Sequence, residues 1–368
     1  MKSKIRFQNN IRIVFVITIF WTFFASFSYV IEYFFVYDLI HMKRLSGTYE
    51  FLPDFIGSVI LSLLAGFVFG YLLVFKIRFK FQKKSFIYGI IGSGLLFIII
   101  YLCLAILGIF TIDIIYFVFQ MNLSQAIKDS TNNVILNIST PSFLVNMIAW
   151  AVLVSFTQFM LQVNYKFGPG ILWKFITGKY YKPRQEKRIF MFLDLKSSTT
   201  IAEKIGSQNF FNLLKDVYFD ITEPVISSIG EIYQYVGDEV VITWKVENGI
   251  VDNNCLQCFK RIKLTLEQRK DYYIKNYQHF PSFKAGLHIG EVTAGEIGVI
   301  KKDIVFSGDV LNTTSRIQGE CNRHNVDILI TSTLLQSMDG LDGYEIIEIG
   351  EIELKGKKEK VELNTIIL

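Results

Sequence analysis

Apolar residues are concentrated in the first half of the chain. Between Arg12 and Glu32 lie 19 consecutive uncharged residues, and further uncharged runs cover 55–75, 85–112 and 142–164. About 20 apolar residues cross the hydrocarbon core of a bilayer as a helix, so the pattern predicts an all-α region of four transmembrane helices. These are expected at about 13–36, 55–75, 85–112 and 142–164, within a membrane domain of residues 1–165. A cleaved signal peptide is the poorer reading of the first run, whose apolar length exceeds the roughly 7–15 residues of such a segment. From Arg188 the pattern changes. Residues 189–193 read as a buried strand, 200–228 as one or two amphipathic helices broken near Pro224, and 232–236 with 240–244 as a hairpin turning through Gly237-Asp238-Glu239. A long helix over 253–277, strands over 283–289 and 303–306, a helix over 310–323 and terminal strands follow. Without a strict βαβ repeat, residues 188–368 predict an α+β layer sandwich with a mostly antiparallel sheet.

Charge then orients the spans. Lys2, Lys4, Arg6 and Arg12 precede the first, and Lys76, Arg78, Lys80, Lys83 and Lys84 fill the second connection. Seven cations from Lys166 to Arg188 follow the fourth, while the first and third connections are poorer in net positive charge. The positive-inside rule gives a multi-pass cell-membrane protein with its N-terminus and C-terminal domain in the cytoplasm. No ionisable group stands mid-span, which removes the usual sign of a transport path. The 166–187 linker, bracketed by Pro169 and Pro183, carries Phe167, Leu172, Trp173, Phe175 and Ile176 among cations. That suits either a helix lying on the lipid interface or a plain connection. With 51% hydrophobic and 19% charged residues and a net charge of +5, the chain is neither disordered nor a nucleic-acid binder. Four cysteines are too few for a disulfide framework; Cys255 and Cys258 have zinc-like spacing but no second pair, so they read as core. His288, in an alternating strand, reads as structural.

Two carboxylates stand at ends of central strands. Asp194 closes 189–193 and precedes Lys196-Ser197-Ser198-Thr199, a small polar turn into a helix; Asp238 sits at the hairpin tip. If the strands are neighbours, the carboxylates converge beside helix-terminal amides, a site for divalent metal and phosphate. Taken singly, Asp194 reads equally as a helix cap and Asp238 as a turn residue. Downstream, Asn312 and Arg316 lie four apart on one helical face, and Lys355-Gly356-Lys357 follows near the C-terminus. An amide and a guanidinium so placed can orient a sugar and neutralise a phosphate.

With this order of parts, residues 187–368 resemble the catalytic domain of class III nucleotidyl cyclases, the adenylate and guanylate cyclases, whose fold is ferredoxin-like, or palm-like. The resemblance implies a homodimer through the cyclase domain, with a nucleoside triphosphate as substrate. Two Mg²⁺ or Mn²⁺ ions would be held by Asp194, Asp238 and the Leu195 carbonyl. The amides of Lys196, Ser197, Ser198 and Thr199 would cradle phosphates, Asn312 would position the ribose, Arg316 would stabilise the transition state, and Lys355 would bind the β- and γ-phosphates. Where the family often has Gly-Phe-Thr, this chain has Ser197-Ser198-Thr199. At the two base-reading positions it has Gln234 and Val305 instead of the family's usual pair. Gln offers one donor and one acceptor, matching the adenine edge, yet an amide can flip to meet guanine. ATP is therefore favoured, with GTP or a pyrimidine triphosphate open. Asp238-Glu239 also fits part of the diguanylate cyclase signature, but that family lacks the Asn and Arg pair. A non-catalytic, cyclase-like membrane receptor is the remaining alternative, opposed by the completeness of the site.

Overall fold

The computed structural model describes residues 2–42, 51–77, 86–118, 122–168, 170–341, 343–354 and 360–367. It divides into two compact units, Ser3–Leu172 and Trp173–Leu368. The first is helical: α1 (Lys2–His41), α2 (Phe51–Leu72) running on into a π-helical turn (Leu73–Ile77), α3 (Phe86–Val118), α4 (Leu123–Ile138) and α5 (Pro141–Phe167). Trp21 of α1 is fully buried in its core and meets Phe69 of α2, Phe97 of α3 and Trp150 of α5. Its indole N–H donates to Thr157 Oγ1 at 3.0 Å, which satisfies the one polar atom of a buried tryptophan. Outward faces stay apolar, with Phe15, Ile19, Phe23 and Phe27 on α1 and Ile87, Ile91, Leu95 and Ile99 on α3 all exposed. A helix apolar all round belongs in lipid or in a large core.

Among the described residues, three helices are long and apolar enough to cross a membrane, over Asn10–Asp38, Ile87–Leu107 and Phe143–Asn164. The second expected span, 55–75, falls on α2 and its π turn, where the apolar segment is the shorter Ser62–Lys76. Several side chains at the start of α2 lie outside the described residues. Helix α4 was not expected from the pattern. It buries Ala126, Ser130 and Val134, spaced by four, a polar-rich stripe that hydropathy does not register.

In the second unit, α6 (Ile171–Ile176), which starts two residues before the division, leads to β1 (Arg184–Leu195), α7 (Ser198–Ile205), α8 (Ser207–Ser227), β2 (Glu231–Val236) and β3 (Glu239–Lys245). Then come α9 (Val246–Ile250), α10 (Asn254–Glu267), α11 (Lys270–Tyr277), β4 (Phe283–Ile297), β5 (Asp303–Ser307), α12 (Asp309–Glu320), β6 (Ile328–Thr331), α13 (Ser332–Leu335), β7 (Glu345–Glu353) and β8 (Lys360–Ile367). The sheet runs β2-β3-β1-β4-β6-β8-β7, with β5 paired to β4. Every pairing is antiparallel except β4 with β6, so the expected mostly antiparallel sheet is found. Strand β1 is central and covered on both faces, which explains its unbroken apolar run. Ile189, Met191 and Leu193 enter a core with Leu213, Val217, Phe259 and Ile262 from the α8 and α10 side. Phe190 and Phe192 point the other way, towards Val292, Phe306 and Val310. Cys255 and Cys258 lie wholly within the first of these cores, and burial pushes the Cys258 thiol up to about 12. Both are packing residues, as expected, and so is His288, whose Nδ1 lies 3.0 Å from Thr331 Oγ1.

The segment before β1 is built into this unit. Tyr180 is buried, its carbonyl accepts from Glu296 N at 3.0 Å and its hydroxyl donates to Glu186 at 2.9 Å. Around the fully buried Arg188 gather Glu186 at 3.0 Å, Glu231 at 3.4 Å and Thr243 at 3.1 Å, and Lys174 of α6 reaches Glu231 at 2.9 Å. Removing Arg188 empties a buried site while Glu186 keeps Lys179 and Tyr180 and Glu231 keeps Lys174, so Arg188→Ala is expected to cost about 1–3 kcal/mol, measured by denaturant unfolding. Burial alone would raise both carboxyls, but Arg188 and Lys174 outweigh it for Glu231, and Tyr180, Arg188 and Lys179 do so for Glu186. Both end below the ordinary Glu value. Their contribution is complete above the unfolded pKa, roughly pH 4.3, and is lost as pH falls through the folded values. Glu231→Gln should flatten the fall of stability on acidification; an unchanged slope would remove Glu231 from the account.

Candidate active site

Pairing of β1 with both β3 and β4 sets the site. Asp194 lies opposite Glu239 on one side and Lys284 on the other, and the turn Gly237–Asp238 joins β2 to β3 beside it. The Asp238 carboxylate lies close enough to Asp194 for its charge to act on that group. Burial, with the negative charge of Asp238, pushes the Asp194 carboxyl above its ordinary value against the pull of Lys284. Burial and the charges of Asp194 and Asp238 push Glu239 up to about 7. Clustered half-buried carboxylates of this kind lack positive charge. Lys284 supplies some of it, with Nζ 3.1 Å from Asp194 Oδ2, and Gln318 Nε2 donates to the same oxygen at 3.3 Å. Tyr218 Oη donates to the Gly237 carbonyl at 2.7 Å and steadies the turn.

The donor set fits a hard divalent cation. Among the described residues no group of three or more His, Cys, Asp or Glu is arranged as a complete cage. Mg²⁺ does not need one, since it is bound through one or two carboxylates completed by water and substrate phosphates.

Beyond Leu195 the chain turns into α7. The Lys196 amide already donates to the Ser282 carbonyl at 2.9 Å, and its ammonium pairs with Asp327 at 2.5 Å. This corrects the expected phosphate cradle, because the Lys196 N–H is spent on the sheet edge. Ser197 precedes the helix in the left-handed region, at φ 56° and ψ 31°. An L-residue there costs roughly 1–2 kcal/mol, which supplies a reason for glycine at this point of the motif. Ser197→Gly is expected to raise stability by about 1 kcal/mol without loss of activity; a lower melting temperature would contradict that.

Gln234 on β2 is exposed and Val305 on β5 half-buried. Their neighbours bring the strands together: Phe306 N donates to Tyr233 Oη at 3.2 Å and the two rings lie 5.0 Å apart. A bulge in β2 at Tyr233 makes this reach possible. On α12, Val310, Thr313, Thr314, Ile317 and Gln318 are buried, whereas Asn312 is exposed and Arg316 half-buried. The Asn and Arg pair thus occupies the face turned away from the chain's own sheet. Lys355 lies outside the described residues. Lys284 and Gln318 carry no signal in the sequence, because only strand register and helix docking bring them to Asp194, whereas Glu239 follows Asp238 directly and reads there only as part of the turn.

Residues 180–367 match the family model described as adenylate and guanylate cyclase catalytic domain. Adenylate cyclase 2 of Rhizobium meliloti is 36% identical over 203 residues, 55% of this chain and 56% of that protein. Human retinal guanylyl cyclase 2 is 28% identical over 174 residues, 45% of this chain and 15% of that protein. The chain spans about half the length, or less, of these relatives. A bacterial light-regulated adenylyl cyclase structure superposes with a TM-score of 0.53 at 19% identity, covering 62% of this chain and 67% of that one. At that identity the likeness concerns the fold.

Proposed function

The chain belongs to the class III adenylate and guanylate cyclases, and we propose from this premise that it is a membrane-bound enzyme converting ATP to 3′,5′-cyclic AMP and pyrophosphate. The observation that carries the reading is the convergence of the Asp194 and Asp238 carboxylates beside the turn into α7. Asp194, Asp238 and the Leu195 carbonyl would hold two Mg²⁺ or Mn²⁺ ions, which when bound supply Lewis-acid activation of the ribose 3′-hydroxyl and neutralise the triphosphate. Amides of Ser197, Ser198 and Thr199 bind phosphate oxygens. Asn312 orients the ribose, Arg316 meets the charge that grows at the α-phosphate, and Lys355 holds the β- and γ-phosphates.

The outward face of Asn312 and Arg316 supports a homodimer in which each copy lends this pair to the other's carboxylates. One isologous pairing would then complete two equivalent sites. Packing of α1, α2, α3 and α5 around Trp21 supports four membrane spans in contact with lipid, and the charge pattern supports a cytoplasmic N-terminus and cyclase domain. The chain passes from one part to the other near residue 172.

The test is accumulation of cyclic nucleotide by the full chain supplied with each of the four nucleoside triphosphates, against an Asp238→Ala control. ATP turnover no higher than that of the other three would overturn the adenylate assignment. Guanylate cyclase activity is the second reading, favoured by the Gln234 amide, which can turn to present either hydrogen-bonding order. Gln234→Glu is expected to shift preference towards GTP by about tenfold, since a carboxylate only accepts and guanine N1 and N2 only donate. An unchanged ATP-to-GTP ratio would take Gln234 out of base recognition.

A further inference from the structure

Helix α12 touches the carboxylate site with one face and turns its Asn and Arg pair away with the other. Gln318, only 6% exposed, donates through Nε2 to Asp194 Oδ2, the oxygen that Lys284 also reaches. The helix is held against β4 at close quarters. A Cβ at Gly286 would lie 2.5 Å from Gln318 N and 2.8 Å from the Thr314 carbonyl oxygen, and one at Gly290 2.9 Å from Val310 Cβ. Those two glycines lie on one face of the strand, so α12 rests backbone on backbone and has little freedom to slide. At about 100° per residue, Gln318 projects roughly 200–240° around the helix from Arg316 and Asn312.

We infer that Gln318 is a positioning residue for Asp194, carried on a helix that the β4 glycines hold in place and whose opposite face bears the Arg316 lent to the second copy. This rests on the shared-site reading above. Lys284 and Gln318 play different parts. The ammonium balances the carboxylate's charge and competes with any cation that arrives, whereas the neutral amide orients the carboxylate whichever cation is present.

The variant Gln318→Met keeps the side chain's length and apolar packing but lacks the donor; Gln318→Asn keeps the amide one methylene short and serves if the first does not fold. Mn²⁺ binding to the full chain in lipid nanodiscs, followed by electron paramagnetic resonance without turnover, is expected to weaken by about tenfold in either variant, the size of effect seen when a ligand's supporting hydrogen bond is lost. Unchanged Mn²⁺ affinity overturns the positioning role. A mixed dimer of Asp238→Ala and Arg316→Ala copies retains one complete site, with its carboxylates from the second copy and its Arg316 from the first. Gln318→Met on the carboxylate-supplying copy should raise the Mg²⁺ requirement. On the Arg-supplying copy it should leave the Mg²⁺ requirement unmoved, and a shift there overturns the pairing of Gln318 with Asp194 of its own chain. If mixed dimers are inactive with Gln318 intact, the shared-site reading falls, and Mn²⁺ binding still decides the role of Gln318.

Discussion

Asp194→Ala and Asp238→Ala are each expected to lower cyclic nucleotide formation by about 10²–10³-fold or more while leaving the domain folded. A metal clamp on a transferring phosphoryl group is worth several kcal/mol of transition-state stabilisation, and each 1.36 kcal/mol is tenfold in rate. Neither side chain is part of an apolar core. Asp194 stands at the end of β1 with its neighbours Leu193 and Leu195 buried, and Asp238 occupies a two-residue turn. Burial first, and the neighbouring carboxylate charges after it, raise the Asp194 and Glu239 carboxyls. Removing one carboxylate therefore relieves repulsion while depriving Lys284 of its partner, and the net change in melting temperature should be small. Asp194→Asn keeps the shape and separates loss of charge from loss of packing. Turnover close to wild type with saturating Mg²⁺ in any of these variants would sink the metal assignment.

Arg316→Ala is expected to be as severe, about 10²–10³-fold in kcat, because a preorganised donor aimed at developing charge contributes on that scale. The more telling result comes from mixing. Arg316 and Asn312 face away from the sheet that carries Asp194, so a single copy does not bring the two sets together through this face. Equal amounts of inactive Asp238→Ala and inactive Arg316→Ala chains, exchanged freely, give half of all dimers as the mixed kind, each with one working site of two. Activity should then return to about a quarter of the wild-type value. Absence of recovery, with subunit exchange verified by cross-linking, would place the whole site within one chain.

Features that depend on local pattern are written along the chain. Uncharged runs of about 20 residues specify apolar helices, since only internal hydrogen bonding satisfies a backbone in lipid. The apolar run over 189–193 specifies a central strand, because burial on both faces removes the usual alternation. Asp194, Asp238, Asn312 and Arg316 were legible for the same reason, each standing at a fixed offset from a strand end or on one helical turn. Register, docking and chain reversal were decided elsewhere. Nothing near Lys284 in the chain points to Asp194; 90 residues separate them, and only the antiparallel pairing of β1 with β4 makes them opposite. Gln318 meets Asp194 because Gly286 admits the backbone of α12, a contact between segments that no single window contains. The Lys196 amide was lost to phosphate through a bond to Ser282, again across strands. Helix α4 escaped because its buried stripe is small and polar. Local physics thus fixed which residues could do chemistry, and the long-range contacts of the sheet decided which of them meet.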